Sequence, residues 1–261
     1  VLGGQGYTAP SDELTKAIIG VGGMGRGHIR YEGSRLLAVC DVDELHLARA
    51  IERAGPGVDT YRDFREVLDR PDIDVIHIAT PPHWHGLMSI AAAEAGKHVL
   101  IEKPLALTAE ACEQVAAAVA KAGTFLMPAF KMRYYPLIQM AHTFIPEPQV
   151  VVGQMMDSRW SDDAWAQDPV QGGANVHSQG CHTTDIIRYL SGSEPKRVWA
   201  AGGTLTHPGH PCIDQCVASI HFANGHVGSW IQGDAAQPQL VSKFFFELFG
   251  DRGAVIGNTD L

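Results

Sequence analysis

The feature that most constrains this chain is a glycine pattern set between an apolar strand and a helix. Ala17-Ile18-Ile19 runs into Gly20-Val21-Gly22-Gly23-Met24-Gly25, which fits G-x-G-x-x-G at Gly20, Gly22 and Gly25. Gly20 permits the tight turn out of the strand. Gly22 lets backbone N–H groups approach a pyrophosphate, and Gly25 lets helix and strand pack closely. Gly23 and Met24 complete the cofactor-facing loop. Such a match alone is weak, because glycine-rich turns are common; its context strengthens it. About 20 residues on, a second apolar run (Leu36 to Cys40) ends in Asp41. A carboxylate there accepts hydrogen bonds from the adenosine ribose hydroxyls and repels a 2′-phosphate. NAD is therefore expected over NADP, with Arg26 placed to soften that preference. Asp41 has a plainer reading too, as an acid stabilised by the dipole of the helix that follows.

A strand–helix rhythm continues from this motif. Val75 to Ala79, His98 to Ile101 and Phe125 to Met127 are further near-continuous apolar runs, as strands buried on both faces should be. Helical stretches separate them: Glu44 to Arg53, Phe64 to Leu68, His85 to Ala95 stopped by Gly96, and Ala109 to Ala122 between Thr108 and Gly123. Alternation of this kind predicts an α/β domain with a parallel, doubly wound sheet. After Met127 five prolines (128, 136, 146, 148, 169) break the rhythm. One helix is predicted at Cys181 to Leu190, closed by Gly192. Strands then dominate, at Arg197 to Ala201, Val217 to Phe222, Val227 to Ile231 and Phe244 to Phe249. Asn224-Gly225 marks a hairpin. The expected organisation is a tail at 1–13, a dinucleotide-binding domain at 14–130, and an α+β domain with an antiparallel sheet at 131–261.

Composition narrows the partners. With 20 Lys and Arg against 29 Asp and Glu, the 261-residue chain carries a formal charge of −9. It offers no basic stripe for nucleic acid or an anionic membrane. No apolar run approaches the ~18 residues of a membrane helix. Cys40, Cys112, Cys181, Cys212 and Cys216 are an odd, scattered set, which does not read as a disulfide framework and leans toward a reducing compartment. His207, His210, Cys212, Cys216 and His221 lie close in sequence. The four-residue spacing of the two cysteines in and beside a strand sets them too far apart for one ion, so no metal is expected.

The fourth apolar run ends in Glu102-Lys103-Pro104, a charged pair where parallel sheets bind ligands. Together with the glycine fingerprint, Asp41 and the run Ala79-Thr80-Pro81-Pro82-His83-Trp84-His85, it resembles the Gfo/Idh/MocA oxidoreductases. So does Gly172-Gly173-Ala174-Asn175-Val176-His177-Ser178-Gln179-Gly180-Cys181-His182-Thr183-Thr184-Asp185, which fits that family's Gly-Gly followed by Gly-x-His-x-x-Asp. The resemblance spans residues 14 to 257. It implies a Rossmann domain, then a domain with an open, mainly antiparallel sheet, and hydride transfer between NAD(P) and a sugar, cyclitol or related polyol. By position it makes Lys103 and His182 catalytic, with Asp185 three residues after the histidine. It sets Thr80, Pro81 and His85 beside the nicotinamide, Glu102 and Lys103 at the cofactor, and Arg133 near cofactor and substrate. It also implies a dimer or tetramer assembled through the open sheet. One departure stands out: well-studied dehydrogenases of the family have Asp where this chain has Ser178, so a Lys–Asp–His triad is not expected.

The chemistry stands on the residues as well. Oxidising a secondary alcohol removes a hydroxyl proton as hydride leaves carbon. A histidine such as His182 is a natural base near neutral pH. Lys103 can hold the same oxygen and stabilise alkoxide charge. Asp185, one helical turn on, can orient the imidazole or bind a ring hydroxyl. Ser178 and His177 are candidate substrate contacts. Trp160, Asp162, Asp163 and Trp165 form an acidic, aromatic loop that suits polyol recognition or simple solvation, and Trp84 serves packing or stacking equally well. Two other readings stay open: a redox-neutral, NAD-dependent glycosidase or lyase, and a non-catalytic nucleotide-binding protein. Location is open between the cytoplasm and a periplasm reached by twin-arginine export. Relatives run on past Phe249 to Gly253, so Leu261 is expected not to be the natural end, and the second sheet to be short.

Overall fold

The apolar runs of the first half become strands covered on both faces. This computed structural model describes residues 13–237 and 242–257, and the chain divides into two compact units, 1–129 and 130–261. The expected tail, Glu13 excepted, and the chain end at Leu261 lie outside the described residues.

The first unit alternates β1 (Leu14–Ile19), α1 (Gly23–His28), β2 (Ser34–Cys40), α2 (Glu44–Ala54), β3 (Asp59–Tyr61), α3 (Phe64–Leu68), β4 (Val75–Ile78), α4 (His85–Glu94), β5 (His98–Ile101), α5 (Ala109–Ala122) and β6 (Leu126–Pro128). Its six strands are all parallel, in the order β3-β2-β1-β4-β5-β6. The order reverses between β1 and β4, and such a sheet binds ligands at the carboxyl ends of those strands. Ala17, Ile19, Ile76, Ile78, Val99 and Ile101 pack with Val67, Met88 and Ala92 in one cluster, while Ile18 and Val39 pack with Leu47 and Ala50 of α2 in another. Burying each such isoleucine contributes about 1.5–3 kcal/mol. Local chemistry sets the helix ends. Asp43 Oδ1 accepts from Leu45 N at 2.7 Å, Thr108 Oγ1 accepts from Ala111 N at 3.2 Å, and Gly123 closes α5 at φ 68°. The sequence pattern misses β3, because Asp59-Thr60-Tyr61 is polar and forms an edge strand with no apolar run to mark it.

The second unit holds α6 (Pro136–Phe144), β7 (Val150–Ser158), α7 (Ala174–Ser178), α8 (Gly180–Ser191), β8 (Pro195–Gly203), β9 (Gln215–Phe222), β10 (Val227–Ala236), β11 (Phe244–Phe249) and β12 (Gly253–Gly257). The sheet order is β12-β11-β7-β10-β9-β8, antiparallel throughout except for the β7–β10 pair. Asn224-Gly225 does turn β9 into β10, with Gly225 at φ 87°. Ile138 and Ala141 of α6 and Ile186, Ile187 and Leu190 of α8 cover Val151, Ile220, Phe222, Phe246, Leu248 and Ile256. Trp199, Val217 and Val255, on β8, β9 and β12, are more than half exposed. The pattern also misses α6, because Pro136 reads as a break yet sits at the first helical position, where proline's fixed φ suits the turn. Among the described residues no helix is long and apolar enough to cross a membrane.

Candidate active site

In the first unit the glycine turn is shaped by close backbone approach. Gly20 has φ +84°, and a Cβ there would lie 2.7 Å from Ala79 C. A Cβ on Gly25 would fall 1.7 Å from Gly20 O, so α1 can meet β1 only through glycine. Gly23 has open space around it, and Met24 is exposed. This is a cradle whose tight side admits no side chain and whose outer side is clear, which fits the pyrophosphate of a dinucleotide. Asp41 is largely buried and ties the cradle together. Its Oδ2 accepts from Val21 N at 2.9 Å and faces His46 Nδ1 at 3.3 Å, and its Oδ1 accepts from Asp43 N at 3.0 Å. A carboxylate has about four acceptor positions, so capacity remains for a ribose hydroxyl.

Next to the cradle, the loop after β4 is braced to the turn after β5. His85 is 1% exposed, with Nδ1 2.6 Å from Pro104 O and Nε2 2.8 Å from Thr80 O. Burial pushes its pKa down, against the pull of those carbonyls. His85 thus sits between the Pro104 and Thr80 carbonyls, its neutral ring donating its one N–H to one of them, and Thr80 Oγ1 bonds Met88 Sδ. Pro81 opens the short 3-10 turn Pro82–Trp84. Glu102 is likewise occupied: Oε1 faces His28 Nε2 at 3.0 Å and Oε2 accepts from Lys103 N at 3.3 Å. Burial would raise its pKa, but the His28 bond and the neighbouring Lys103 outweigh that and hold it below the usual range. Lys103 is half-buried at the start of this turn, and the Lys103–Pro104 peptide is cis. Sequence reasoning missed His28. The available signal is its place three residues after Gly25, at the end of α1.

In the second unit the Gly172-Gly173 pair makes the entry to α7. A Cβ on Gly172 would lie 2.4 Å from Ala166 O, and Gly173 has φ +71°. Both of their N–H groups donate to Asp168 O at 2.9 Å. Beyond α7 the chain turns at Gln179 into α8, where a Cβ on Gly180 would lie 2.7 Å from Trp230 Cζ2. His182 is 5% exposed, in the first turn of α8, edge-on to the Phe130 ring at 6.1 Å. Thr183 Oγ1 donates to Gln232 Oε1 at 3.1 Å, and Gln232 Nε2 donates to Asn175 Oδ1 at 2.7 Å, so one fully buried glutamine of β10 links α7 to α8. Ser178 is buried near the end of α7. His177 is exposed, and partial desolvation of its ring lowers its pKa.

Asp185 differs most from expectation. Its carboxylate is bound bidentately by Arg133, through Nε at 2.8 Å and through Nη2. A fork of this kind uses both oxygens, so Asp185 anchors the 3-10 turn Lys131–Tyr134. The hydrogen bond that Arg133 donates to Asp185 raises the Arg133 pKa further. Trp160 is also held, its Nε1 donating to Asp157 Oδ2 at 3.1 Å and its N to Asp234 Oδ2 at 3.3 Å. Asp162 is not merely solvated: it pairs with Arg159 and faces His207 Nδ1 at 2.5 Å. Among the described residues no group of three or more His, Cys, Asp or Glu could hold a metal ion.

Comparison with known proteins decides the family. Residues 14–130 match the oxidoreductase family with an NAD-binding Rossmann fold, and residues 141–256 match the GFO/IDH/MocA C-terminal domain. The chain belongs to the Gfo/Idh/MocA oxidoreductases. Levoglucosan dehydrogenase of Pseudarthrobacter phenanthrenivorans is 29% identical over 289 residues, covering 94% of this chain and 73% of the relative. A solved levoglucosan dehydrogenase in complex with NADH superposes with a TM-score of 0.84 at 29% identity, over 94% of this chain and 73% of that one. The α-N-acetylgalactosaminidase of Shewanella oneidensis is 42% identical over 123 residues, 42% of this chain and 27% of that protein. The Gfo/Idh/MocA chain described here is thus an oxidoreductase with an NAD-binding Rossmann domain, as its glycine fingerprint and Asp41 imply.

Proposed function

We propose that this Gfo/Idh/MocA protein oxidises a secondary alcohol of a sugar, glycoside or cyclitol. The observation that carries the reading is the glycine cradle with Asp41 at its edge, in a chain that also holds Lys103 and a buried His182 at its family motifs. Gly20, Gly22, Gly23, Met24 and Gly25 would lie along the dinucleotide, with Asp41 on the ribose and Thr80, Pro81, His85, Glu102 and Arg133 shaping the rest of the cofactor site. The cofactor, when bound, supplies a hydride acceptor. His182 takes the hydroxyl proton on a ring nitrogen as the carbinol C–H bond breaks, and passes it to solvent. Lys103 donates hydrogen bonds to the same oxygen and stabilises its developing negative charge. Trp160, His177 and Ser178 are assigned to the substrate. Asp185 acts by holding Arg133 rather than as a partner of the imidazole.

The test is NADH formation across a panel of sugars, glycosides and inositols. Lys103→Ala is expected to lower kcat on the best substrate by about 10²–10⁴-fold; unchanged turnover overturns the assignment. Asp41 favours NAD, so Asp41→Ala should narrow the ratio of NAD to NADP affinity. The galactosaminidase likeness supports a second reading, in which transient oxidation acidifies a neighbouring C–H and a substituent is eliminated. Release of the aglycone without NADH accumulation selects it. The exposed residues of the second sheet support self-association, which sedimentation would show as a dimer or tetramer.

A further inference from the structure

Between β7 and α7 the chain runs 15 residues without a strand, from Arg159 to Gly173. Two buried polar side chains of β10, Gln232 and Asp234, reach this segment and the helices after it. Gln232 bonds Asn175 and Thr183. Asp234, 0% exposed, accepts from Trp160 N at 3.3 Å and lies 2.7 Å from His207 Nε2. His207 is 3% exposed, and its other ring nitrogen faces Asp162 Oδ1 at 2.5 Å. The Gln167 amide nitrogen lies 3.1 Å from Nε2 as well, and a protonated ring keeps this contact with the amide turned to present its oxygen. Asp214, 1% exposed, fixes the main chain beneath the ring by accepting from His207 N at 2.8 Å and from Leu205 N and Thr206 N. From Trp160 to Thr183 the segment is therefore tied at five residues: Trp160, Asn175 and Thr183 to side chains of β10, and Asp162 and Gln167 to His207 in the loop between β8 and β9. Three of these ties meet at Asp234 and His207.

We propose that His207, clamped between Asp162 of the loop and Asp234 of the sheet, is a positioning residue that fixes Trp160 and the Gly172-Gly173 entry to α7, and through them His182. This rests on the oxidoreductase reading only where it concerns His182. A ring with a carboxylate at each nitrogen makes both bonds only as an imidazolium, since the neutral form has one N–H. Burial works against that charge, but the Asp234 and Asp162 bonds outweigh it and raise the pKa above 6.5. The other charges around the ring are Arg159, paired with Asp162, and Asp214; the His210 ring stands 6.3 Å away. Because the folded pKa is raised, the clamp is complete below the ordinary histidine value and is lost as pH rises through the raised one.

Hydrogen exchange of the 159–173 peptide in the full chain, corrected for intrinsic rates, tests this without any substrate. Wild-type protection should fall by about tenfold between about pH 6 and pH 9, the scale set by a charge-assisted hydrogen bond. Asp162→Asn, at an exposed position, should be poorly protected at both pH values, and Asp162→Glu should restore the pH dependence. His207→Gln should also lose it. Equal wild-type protection at both pH values, or a wild-type profile in Asp162→Asn, overturns the clamp. On a substrate found by NADH formation, kcat should fall on the alkaline side in wild type and lose that limb in Asp162→Asn, with the KM for NAD unchanged. An inactive wild-type protein that shows the exchange signature rejects the oxidoreductase reading and keeps the clamp. An active one without the signature rejects the clamp.

Discussion

His77 in the first unit and His207 in the second are equally hidden from water, at 5% and 3% exposure, yet their pKa values are pushed in opposite directions. His77 sits in β4, packed edge-on to the His28 ring at 5.6 Å and near Tyr31, with Lys16 on the adjacent strand. Its neighbours are bases. Burial, then Lys16 and His28, drive its pKa down to about 3. The carboxylate in this cluster, Glu102, is bonded to His28. His207 has two carboxylates of its own and is pulled the other way. Burial alone does not fix the charge of a buried histidine; the sign of its partners does.

The comparison can be broken first on the acid side. His77 binds a proton more readily unfolded than folded, so stability falls as pH drops from 6.5 toward about 3. The loss should approach roughly 4 kcal/mol at the low end, and His77→Leu should flatten it in an acid-unfolding series followed by circular dichroism. A His77→Leu protein with the wild-type acid profile would mean another group controls it. Next in size, Asp234→Asn leaves His207 one carboxylate and should cost about 2 kcal/mol in a urea titration. Its cost should shrink as pH rises, the reverse of the His77 trend. Glu102→Gln should cost about 1–2 kcal/mol near neutral pH, a cost that shrinks in acid, because the lowered Glu102 pKa makes its contribution one that is lost as pH falls. The smallest effect is expected at an exposed position of the second sheet. Val217→Ala on an exposed position of β9 should change stability by less than about 0.5 kcal/mol, whereas Ile78→Ala, buried in the parallel sheet, should cost about 2–5 kcal/mol. A large Val217 effect would instead mark the open face as covered by another copy.

Much of the first unit is legible along the chain. Ile18-Ile19, Ile76 to Ile78 and Val99 to Ile101 announce strands buried on both faces, and Gly20 and Gly25 announce a turn that no side chain fits. The second unit is less legible. Its strands are covered on one face, Pro136 opens a helix rather than ending one, and β7 and β12 pass unmarked. The site divides the same way. Lys103 and His182 stand in local motifs, but the partners of Glu102, Asp185 and His207 lie far off in sequence. His28 is 74 residues from Glu102, Arg133 is 52 from Asp185, and Asp162 is 45 from His207.

What the sequence by itself determined is therefore what short-range physics controls: hydrophobic period, helix caps, glycine turns, and the cofactor and reaction class those turns imply. Only the tertiary structure decided that Asp185 is bound by Arg133, that Glu102 turns toward His28, and that the His77 pKa is driven down while the His207 pKa is drawn up. Those outcomes depend on which charges the fold brings within a hydrogen bond of one another in a dry interior, and no local pattern encodes that encounter.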